Sequence, residues 1–492
     1  MYEDLQMLTG VLNQIRVNHP DSTDAHELIL AAIRGMVSAA DPHSYVIPYR
    51  PLSPELEKEW RDGNMHAVGV TFVYIGGAPV VVGVAPGSSA ARNDILPGDE
   101  LVAVDGAPVS ARSADELDLA ISGRKGTTVR LTFERQRSDG ATARLEREVK
   151  RERIADQTAV PVAFMLDSLT GYIRVTTFAN TRVADDLHSA LGDLERRGMS
   201  RLVLDLRDNG GGSVQQAAEV AGEFLPRGAV VYSSEGRKKE VTDTGRVSRS
   251  FWSREKRYPM VVLVNGGSAS ASELVAGALQ DHDRALIVGR TTFGKSLLMQ
   301  PFPLPDGSVL VMVTGHLKTP CGRVIQRQYR NVTSREYYRR AAAERDTIGR
   351  PTCKTSGGRT VYGGGGIYPD VGLPETPPPL PWAERVTESL LPLKWIGAWL
   401  ERHGPGIPSL EVLAAGASLA GDPVADFRRF AEREGLTIPA GAAADAALIG
   451  LLTPVIADAK WGEKGWYRVL ATRDPDVRAA LSAFDQAARI LR

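Results

Sequence analysis

The chain has 492 residues, of which 43% are hydrophobic and 24% charged, and its 59 acidic and 59 basic side chains give a formal net charge of zero. This composition is typical of a soluble globular protein, and the length predicts two to four domains. The balanced charge and the lack of a basic run argue against nucleic acid as a partner. No stretch is expected to reach the ~20 apolar residues of an integral membrane segment, and Tyr2, Glu3 and Asp4 do not begin a signal peptide.

The first 60 residues are predicted to form helices. Leu5, Leu8, Leu12 and Ile15 recur on one face of a first helix, and a second helix begins near Asp24. Exposed helical arms of this kind often make dimer contacts, and a cap on the core is the alternative. We expect a homo-oligomer, with a dimer through the N-terminal helices, the C-terminal helices or both as one arrangement.

Residues 61–152 change character to short strands separated by glycine and proline. The strand-like runs are residues 80–84, 101–104 and 129–133, and residues 113–122 are predicted to be helical. The pattern predicts a small β domain that precedes the main core.

The remainder of the chain is predicted to divide at a proline-rich linker. Residues 153–373 alternate strands and helices and predict an α/β core. Residues 374–381 contain the run ETPPPLP, which is typical of a linker. Residues 382–492 have helical spacing and are expected to form a separate helical C-terminal domain, so the fold class is multidomain α/β.

One unit of the core carries candidate chemistry. Residues 261–264 are predicted to form a buried strand, residues 268–280 a helix and residues 285–288 a second strand. Parallel strands joined by a helix place both ends of the unit at the carboxyl edge of one sheet. Ser270, at the start of the helix, and Lys295, after the second strand, are therefore expected to meet there.

This pair suits acyl transfer. A serine hydroxyl is a weak nucleophile that needs a base, and a lysine serves as that base only when its amine is neutral. Phe293, Leu297 and Leu298 give Lys295 an apolar setting, which is expected to lower its pKa by disfavouring the charged form. The Ala271 N–H, unpaired at the start of the helix, is a candidate donor to a tetrahedral oxyanion.

Other kinds of site are not favoured by the sequence. It contains no phosphate-binding loop, no HExxH motif and no dinucleotide-binding glycine pattern, and its histidines lack ligand spacing, so neither a cofactor nor a metal is expected. His282 is predicted to lie at the end of the helix away from Ser270, which argues against a Ser–His–Asp site.

The two cysteines, Cys321 and Cys353, flank a charged arm, residues 323–350. Either they are two unrelated small residues, or they form a disulfide that closes the base of the arm. The second alternative would fit an oxidising compartment.

Several motifs occur in a characteristic order between about residues 24 and 373. They are Asp41-Pro42-His43-Ser44, Gly171-Tyr172-Ile173-Arg174, residues 204–212 (LDLRDNGGG), residues 267–273 (GSASASE), residues 292–295 (TFGK) and residues 363–370 (GGGGIYPD). Together they resemble the carboxyl-terminal processing peptidases, also called tail-specific proteases. The resemblance implies a serine–lysine endopeptidase that cleaves proteins at or near their C-termini. It also implies a crotonase-like ββα core, a PDZ-like domain in residues 61–152 and an extracytoplasmic location, periplasmic or secreted.

The resemblance also implies roles for single residues. Ser270 corresponds to the nucleophile and Lys295 to the base, whereas Ser268 and Ser272 are expected to cap or pack. Gly212 corresponds to a second oxyanion donor beside Ala271.

A PDZ domain binds a C-terminal peptide as an added edge strand, and backbone N–H groups of a loop hold the terminal carboxylate. The matching loop here is Val68, Gly69 and Val70. Ala67 stands before it where the family usually has glycine.

One departure from the family concerns the lysine. The family usually has a glutamine four residues after it, where the amide orients the amine, and here that position is Met299, with Gln300 one residue on. Either Gln300 reaches in from a shifted backbone, or Lys295 is positioned in another way, or the activity is low. Two alternative functions follow: a protease-like scaffold that binds peptides with little or no turnover, and a carrier of apolar ligands on the same core fold.

Overall fold

The computed structural model describes residues 2–47, 65–75, 78–85, 88–109, 111, 114–136, 141–152, 158–248, 255–329, 337, 346–375, 377, 379–419 and 421–491. The expected boundaries between the N-terminal segment and the β domain, and between the β domain and the core, lie outside the described residues.

The N-terminal segment is helical and is joined to the core by a short strand. Helices span Tyr2–Asn18 and Ala25–Ala40, and the Asp24 carboxylate accepts a hydrogen bond from the His26 N–H at the start of the second. The first helix has no buried residue, because its apolar side chains face solvent. The strand Tyr45–Ile47 pairs with Val309–Lys318, so this segment continues into the core.

The β domain is built around a sheet of five main strands. Its core includes the fully buried Val68, Leu117, Leu131 and Phe133. The first strand, Val70–Ile75, lies at the edge of the sheet. In spatial order the strands are Val70–Ile75, Ala78–Val84, Glu100–Val104, Thr128–Gln136 and Thr142–Lys150; Ala107–Pro108 pairs with Glu100–Val104, Met65–His66 pairs with Gly123–Arg124, and helices span Ser89–Arg92 and Ala114–Ile121.

The α/β core contains a six-stranded sheet, here called the core sheet. Its first strand is antiparallel to the second and the other neighbours are parallel. The helices that connect the parallel strands pack on one face, against residues such as Ile173, Leu204 and Val262. The strands are Val162–Met165, Thr170–Arg174, Arg201–Asp205, Met260–Val264, Leu286–Gly289 and Val371–Gly372; the helices are Val183–Arg196, Val214–Gly222 and Ala271–Asp281.

A second sheet lies beside the core sheet, and a disulfide lies near it. The structure joins Cys321 and Cys353, so the alternative of two unrelated cysteines is wrong. The strands of the second sheet are Tyr45–Ile47, Val309–Lys318, Val230–Glu235, Val241–Arg246 and Leu297–Pro303, and a small hairpin pairs Thr352–Lys354 with Thr360–Tyr362.

The C-terminal helices form two groups. The first group has its own apolar core around Trp395, Trp399 and Phe427. The helices of this group are Pro381–Glu388, Leu391–His403, Leu410–Ala414, Pro423–Arg433 and Ala442–Trp461, with a 3₁₀ turn at Gly404–Gly406.

The last two helices, Pro475–Ser482 and Phe484–Ile490, in contrast, belong to the core and cover the second face of the core sheet. The helix before them, Glu463–Arg473, joins the two groups, because Val469 is buried in the C-terminal cluster and Ala471 in the cluster on the core sheet. Phe484 packs in the same cluster as Val203 and Leu263. A separate helical domain was expected over the whole segment after the linker. This expectation is corrected for residues 475–490, because their apolar faces pack on the core sheet.

The helix Ala442–Trp461 is longer and more apolar than any segment expected from the sequence. It has 20 residues and a mean hydropathy of 1.5 over its most apolar window, which is sufficient for a membrane span by length and composition alone. Leu448, Leu452 and Ile456 are fully buried in the C-terminal cluster. These contacts are those of a core helix.

Candidate active site

Ser270 lies in a tight turn between a buried strand and the helix Ala271–Asp281. Its φ is 56° and its ψ is −115°, in a region that residues with a side chain rarely occupy and that costs of order 1–3 kcal/mol. The turn leaves Ser270 half-buried at the carboxyl edge of the core sheet. Strain at this position is held by the surrounding contacts, and it presents the residue at the mouth of the helix.

The two neighbouring serines are structural. Ser268 and Ser272 are fully buried. The Ser268 hydroxyl donates to the Leu206 carbonyl at 2.8 Å, and the Ser272 hydroxyl donates to the Asn209 carbonyl at the same distance. Both bonds fasten residues 267–272, here called the serine turn, to residues 206–213, here called the glycine turn.

Glu273 joins the serine turn to the loop that carries Lys295. Its buried carboxylate accepts hydrogen bonds from the backbone N–H groups of Ser270 and Lys295, both to Oε2 at 2.8 Å. The Gly294 N–H donates to Oε1 at 2.7 Å, and the Thr292 hydroxyl donates to the same oxygen. Burial raises the pKa of Glu273 to about 7, although these four hydrogen bonds favour the ionised form.

Lys295 is half-buried in residues 291–296, here called the lysine segment. Burial lowers the pKa of Lys295 below its usual value, while the negative charges of Glu273 and Asp41 act in the opposite direction. The segment is tied to the serine turn a second time, because the Phe293 N–H donates to the Ser268 carbonyl at 3.0 Å. The structure thus brings the Ser270 and Lys295 backbones together.

The glycine turn lies against Ser270. A Cβ on Gly211, whose φ is +99°, would lie 2.8 Å from the Ser270 Cβ and 2.9 Å from the Ala271 nitrogen. Gly212, with a φ of +145°, approaches the Phe178 backbone so closely that a Cβ would lie 2.2 Å from its carbonyl carbon. Only glycine fits at either position.

The backbone N–H groups of Ala271 and Gly212 donate to no atom in the part of the chain that the structure describes. Ala271 is the first residue of its helix, where N–H groups lack an intrahelical partner and the helix dipole favours negative charge. Both expected oxyanion donors are therefore available for a ligand.

Met299 and Gln300 lie on the strand Leu297–Pro303. Met299 is half-buried and pairs with Val313, next to an irregularity in strand register between Leu298 and Met299, whereas Gln300 is exposed. No hydrogen bond joins either side chain to Lys295 among the described residues.

In the β domain, the three expected carboxylate-loop residues lead into the edge strand. Val68 is fully buried, Gly69 has a φ of +84°, and Val70 begins the strand Val70–Ile75. The helix Ala114–Ile121 packs against this strand.

Some residues of the site were not anticipated from the sequence. In the sequence, Glu273 stood out only as the last residue of the motif at 267–273, and Gly211 only as part of the motif at 204–212. A signal for Glu273 existed, because an acidic residue three positions after a serine is typical of a helix N-terminus. His282 binds the Val230 carbonyl at 2.8 Å, which agrees with a role outside catalysis.

No group of three or more histidine, cysteine, aspartate or glutamate side chains with metal-binding geometry is found in the described ranges. The chemistry that the arrangement offers is that of a serine hydroxyl, a lysine with a lowered pKa and two unpaired backbone N–H groups.

Comparison with known proteins finds matches to one family of peptidases and to PDZ domains, and sequence relatives that cover about two thirds of the chain. The family model of peptidase family S41 matches residues 169–334, and a PDZ domain model matches residues 80–135. The chain is 32% identical over 332 residues to a carboxy-terminal-processing protease of Bartonella bacilliformis, which covers 66% of this chain and 73% of that protein.

Two further relatives have similar names. The carboxy-terminal processing protease CtpA of Bacillus subtilis is 29% identical over 65% of this chain and 66% of its own length. The chloroplastic carboxyl-terminal-processing peptidase 2 of Arabidopsis thaliana is 34% identical over 62% of this chain and 59% of its own length. This chain therefore spans from about three fifths to about three quarters of the length of these three relatives.

Among solved structures, a photosystem II D1 C-terminal processing protease is 26% identical, with 74% of this chain and 86% of that chain covered and a TM-score of 0.37. The sequence relatives and the family models carry the assignment: the chain belongs to peptidase family S41, the carboxy-terminal processing proteases, and it contains a PDZ domain.

Proposed function

We propose that this protein is a serine endopeptidase that uses Ser270 and Lys295 to cleave protein substrates at or near their C-termini. The observation that supports it most directly is the shared Glu273 oxygen, which fixes the backbones of both residues at one edge of the core sheet. A common anchor of this kind preserves the relative position of nucleophile and base, which is the condition for general-base activation.

In the proposed reaction, the neutral Lys295 amine accepts the proton of the Ser270 hydroxyl as the oxygen attacks the scissile carbonyl. The negative charge that develops on the carbonyl oxygen is met by the N–H groups of Ala271 and Gly212. The tetrahedral intermediate then expels the amine of the leaving peptide, which takes its proton from Lys295. Water, activated by the same lysine, hydrolyses the acyl-enzyme and restores Ser270.

The lowered pKa of Lys295 supports its role as base. A free lysine is almost wholly protonated at neutral pH and has no lone pair to offer, and burial increases the neutral fraction. Glu273 opposes this effect when it is ionised, because its charge stabilises the ammonium form.

The β domain is proposed to hold the substrate C-terminus. The strand Val70–Ile75 lies at the edge of its sheet, where an extended peptide can add as a further strand, with its carboxylate at the N–H groups of Val68, Gly69 and Val70. The adjoining helix Ala114–Ile121 would form the other wall of the groove.

An extracytoplasmic location is part of the proposal, and the disulfide between Cys321 and Cys353 supports it, because disulfides persist in oxidising compartments. The exposed apolar side chains Leu5, Leu8 and Val11 of the first helix support assembly into an oligomer. We also propose that the chain divides into segments at residues 60, 152, 373 and 381, with the last two helices packed on the core, and that the core is crotonase-like.

A peptide-binding scaffold with little or no turnover is the second candidate, because Met299 offers Lys295 no strong hydrogen-bonding partner. An apolar-ligand carrier has no comparable support in the contacts of the site. Incubation of the protein with casein separates these functions. Degradation by the wild type and its loss in Ser270→Ala would support the protease, whereas identical fragments from both proteins would identify a contaminant and an intact substrate would favour the scaffold.

A further inference from the structure

The lysine segment is held on a second side, away from Glu273. The Ser296 N–H donates to Oε1 of Gln326 at 2.9 Å. The adjacent Arg327 reinforces this contact, because its backbone N–H donates to the Gly294 carbonyl at 2.9 Å and its Nε donates to the Phe293 carbonyl at 3.2 Å. The residues on both sides of Lys295 are therefore fixed by residues 326 and 327.

The Gln326 amide is itself oriented by a buried tyrosine. Its Nε2 donates to the Arg327 carbonyl at 2.9 Å and to the Tyr337 Oη at 3.2 Å. Tyr337 is fully buried, and its ring lies 5.8 Å from that of Phe293, between centroids. The tyrosine thus contacts the lysine segment by packing and, through Gln326, by hydrogen bonds.

His43 binds the other side of the tyrosine hydroxyl. Its Nε2 lies 3.1 Å from the Tyr337 Oη, and the two rings pack edge to face with centroids 5.1 Å apart. The Tyr337 hydroxyl oxygen accepts a hydrogen bond from Gln326. Its proton is then free to be donated to Nε2 of His43, which requires that the imidazole is neutral and carries no proton on that nitrogen. Burial and the positive charge of Lys295 lower the pKa of His43 to about 4, so the ring is neutral at working pH.

A turn of backbone anchors His43 to the second sheet. The N–H groups of His43 and Ser44 donate to the Asp41 Oδ1 at 2.8 and 2.7 Å, and the Ser44 hydroxyl donates to Oδ2 at 2.6 Å. The Val313 N–H in turn donates to the Ser44 Oγ at 3.0 Å. Val313 is the strand partner of Met299, so this anchor is tied to the strand that follows the lysine.

We propose that His43, Tyr337 and Gln326 form a buried relay that positions the lysine segment against Ser270. Met299 does not hold Lys295 in place by a hydrogen bond. The relay, whose residues lie outside the strand of Met299, instead constrains the lysine segment through hydrogen bonds. The three side chains are positioning residues, because they act through Ser296 and the backbone of the segment. The inference rests on the proposed function of Ser270 and Lys295.

The sharpest test is Tyr337→Phe, which removes the hydroxyl that His43 and Gln326 share and keeps the ring. We expect kcat/KM on a peptide substrate to fall about 10- to 100-fold through kcat, with KM within about twofold, since the loss misaligns the base without touching the substrate. The rate at which a fluorophosphonate labels Ser270, per folded protein, is expected to fall by a similar factor. Tyr232 is a buried tyrosine whose partly buried hydroxyl donates to Asp243 in the second sheet. Tyr232→Phe is therefore the matched control and should leave both rates unchanged.

A double-substitution cycle tests whether the residues act as one unit. His43→Phe and Tyr337→Phe combined should slow labelling no more than the slower single variant, because either change breaks the same relay. Wild-type rates in Tyr337→Phe, or losses that multiply in the double variant, would overturn the relay while leaving the protease intact. A wild-type protein that neither cleaves the peptide nor reacts at Ser270 would instead overturn the proposed function.

Discussion

Ser270 and Lys295, twenty-five residues apart, donate their backbone N–H groups to one and the same oxygen atom, Oε2 of Glu273. Ser270 and Lys295 take part through their main-chain N–H groups, so the link does not depend on the rotamer of the serine or the lysine side chain. A displacement of the serine turn therefore displaces the lysine segment with it.

Replacement of Lys295 by arginine or alanine is expected to reduce kcat/KM by about 10²- to 10⁴-fold, the usual contribution of a positioned general base. Arginine keeps the positive charge but does not deprotonate, so it cannot accept the Ser270 proton. In the wild type, activity should rise with pH as the lysine loses its proton. Peptide assays between pH 6 and 10, with circular dichroism as a check of folding, measure both effects, and near-wild-type activity in Lys295→Arg would contradict the dyad.

Gly210 and Gly211 are adjacent in the glycine turn, but substitution by alanine is expected to affect peptidase activity very differently at the two positions. Gly211→Ala is expected to abolish detectable peptidase activity, because its Cβ would overlap the Ser270 side chain and the Ala271 nitrogen. Gly210→Ala is the matched control, since a Cβ there meets no atom within 4 Å and no positive φ is required. Equal activity of the two variants in the same peptide assay would show that the glycine turn does not lie where the structure has it.

Glu273 is expected to make the protein less stable as pH rises from about 4.5 to 7. Its pKa is about 7 in the folded protein against 4.5 for the ordinary carboxyl, so the folded state holds the extra proton in this window. The stabilisation is complete below pH 4.5 and is lost as pH rises through 7, with a limit of about 3 kcal/mol. Urea unfolding of the wild type and Glu273→Gln at pH 5 and pH 8 measures the effect, which the glutamine variant should lack. A pH dependence that is the same in both proteins would contradict the assignment.

The same carboxylate should act on catalysis in the opposite direction. The ionised Glu273 carboxylate accepts hydrogen bonds from all four of its donors, whereas a protonated carboxyl has a hydrogen of its own that competes with them. We therefore expect kcat/KM to fall as pH drops below about 7. This loss adds to the one caused by protonation of Lys295. Stability and activity therefore have opposite pH trends around neutrality. The measurement is a pH–rate profile. If log kcat/KM falls on the acid side with a slope greater than one, two groups, Glu273 and Lys295, must both lose a proton for activity.

The strand after the lysine gives a paired prediction. Gln300→Ala should change kcat/KM less than about twofold, because Gln300 is exposed and makes no described bond to the lysine. Met299→Gln is expected to raise kcat/KM, since an amide on the half-buried position can hold the amine in one rotamer better than a thioether can. Measurement of both variants on one peptide decides between the two residues, and a loss of about tenfold or more in Gln300→Ala would show that it has taken the orienting role.

The β domain should distinguish a free C-terminus from a blocked one. Amidation of a substrate peptide's terminal carboxylate is expected to weaken binding, because the N–H groups of Val68, Gly69 and Val70 lose an anionic partner. Fluorescence anisotropy with the Ser270→Ala protein, which binds without cleaving, measures the affinities. Equal affinity for acid and amide peptides would leave the domain as a gate or spacer.

The order of motifs along the sequence was sufficient for the family, the α/β core and the Ser270–Lys295 unit, since a strand, a helix at a turn and a second strand have local signatures. Glu273 could not be assigned in this way, because its four donors come from loops that only the tertiary fold brings together. The role of Tyr337 was equally hidden, because it lies within an arm whose composition is that of a surface. The proline-rich linker suggested a domain boundary, but the apolar faces of the last two helices pack on the core sheet from beyond it.

The cover that residues 475–490 place on the core sheet makes the catalytic edge depend on residues far downstream in the chain. Arg207, in the glycine turn, forms ion pairs with Asp474 and Asp476 from the last helices, and the apolar face of the sheet needs Val477 and Phe484 as partners. A chain that is still emerging from the ribosome has the serine, the lysine and the glycine turn long before it has these contacts. The glycine turn therefore gains these ion pairs, and the core sheet these apolar partners, only after residues 474–484 have been synthesised.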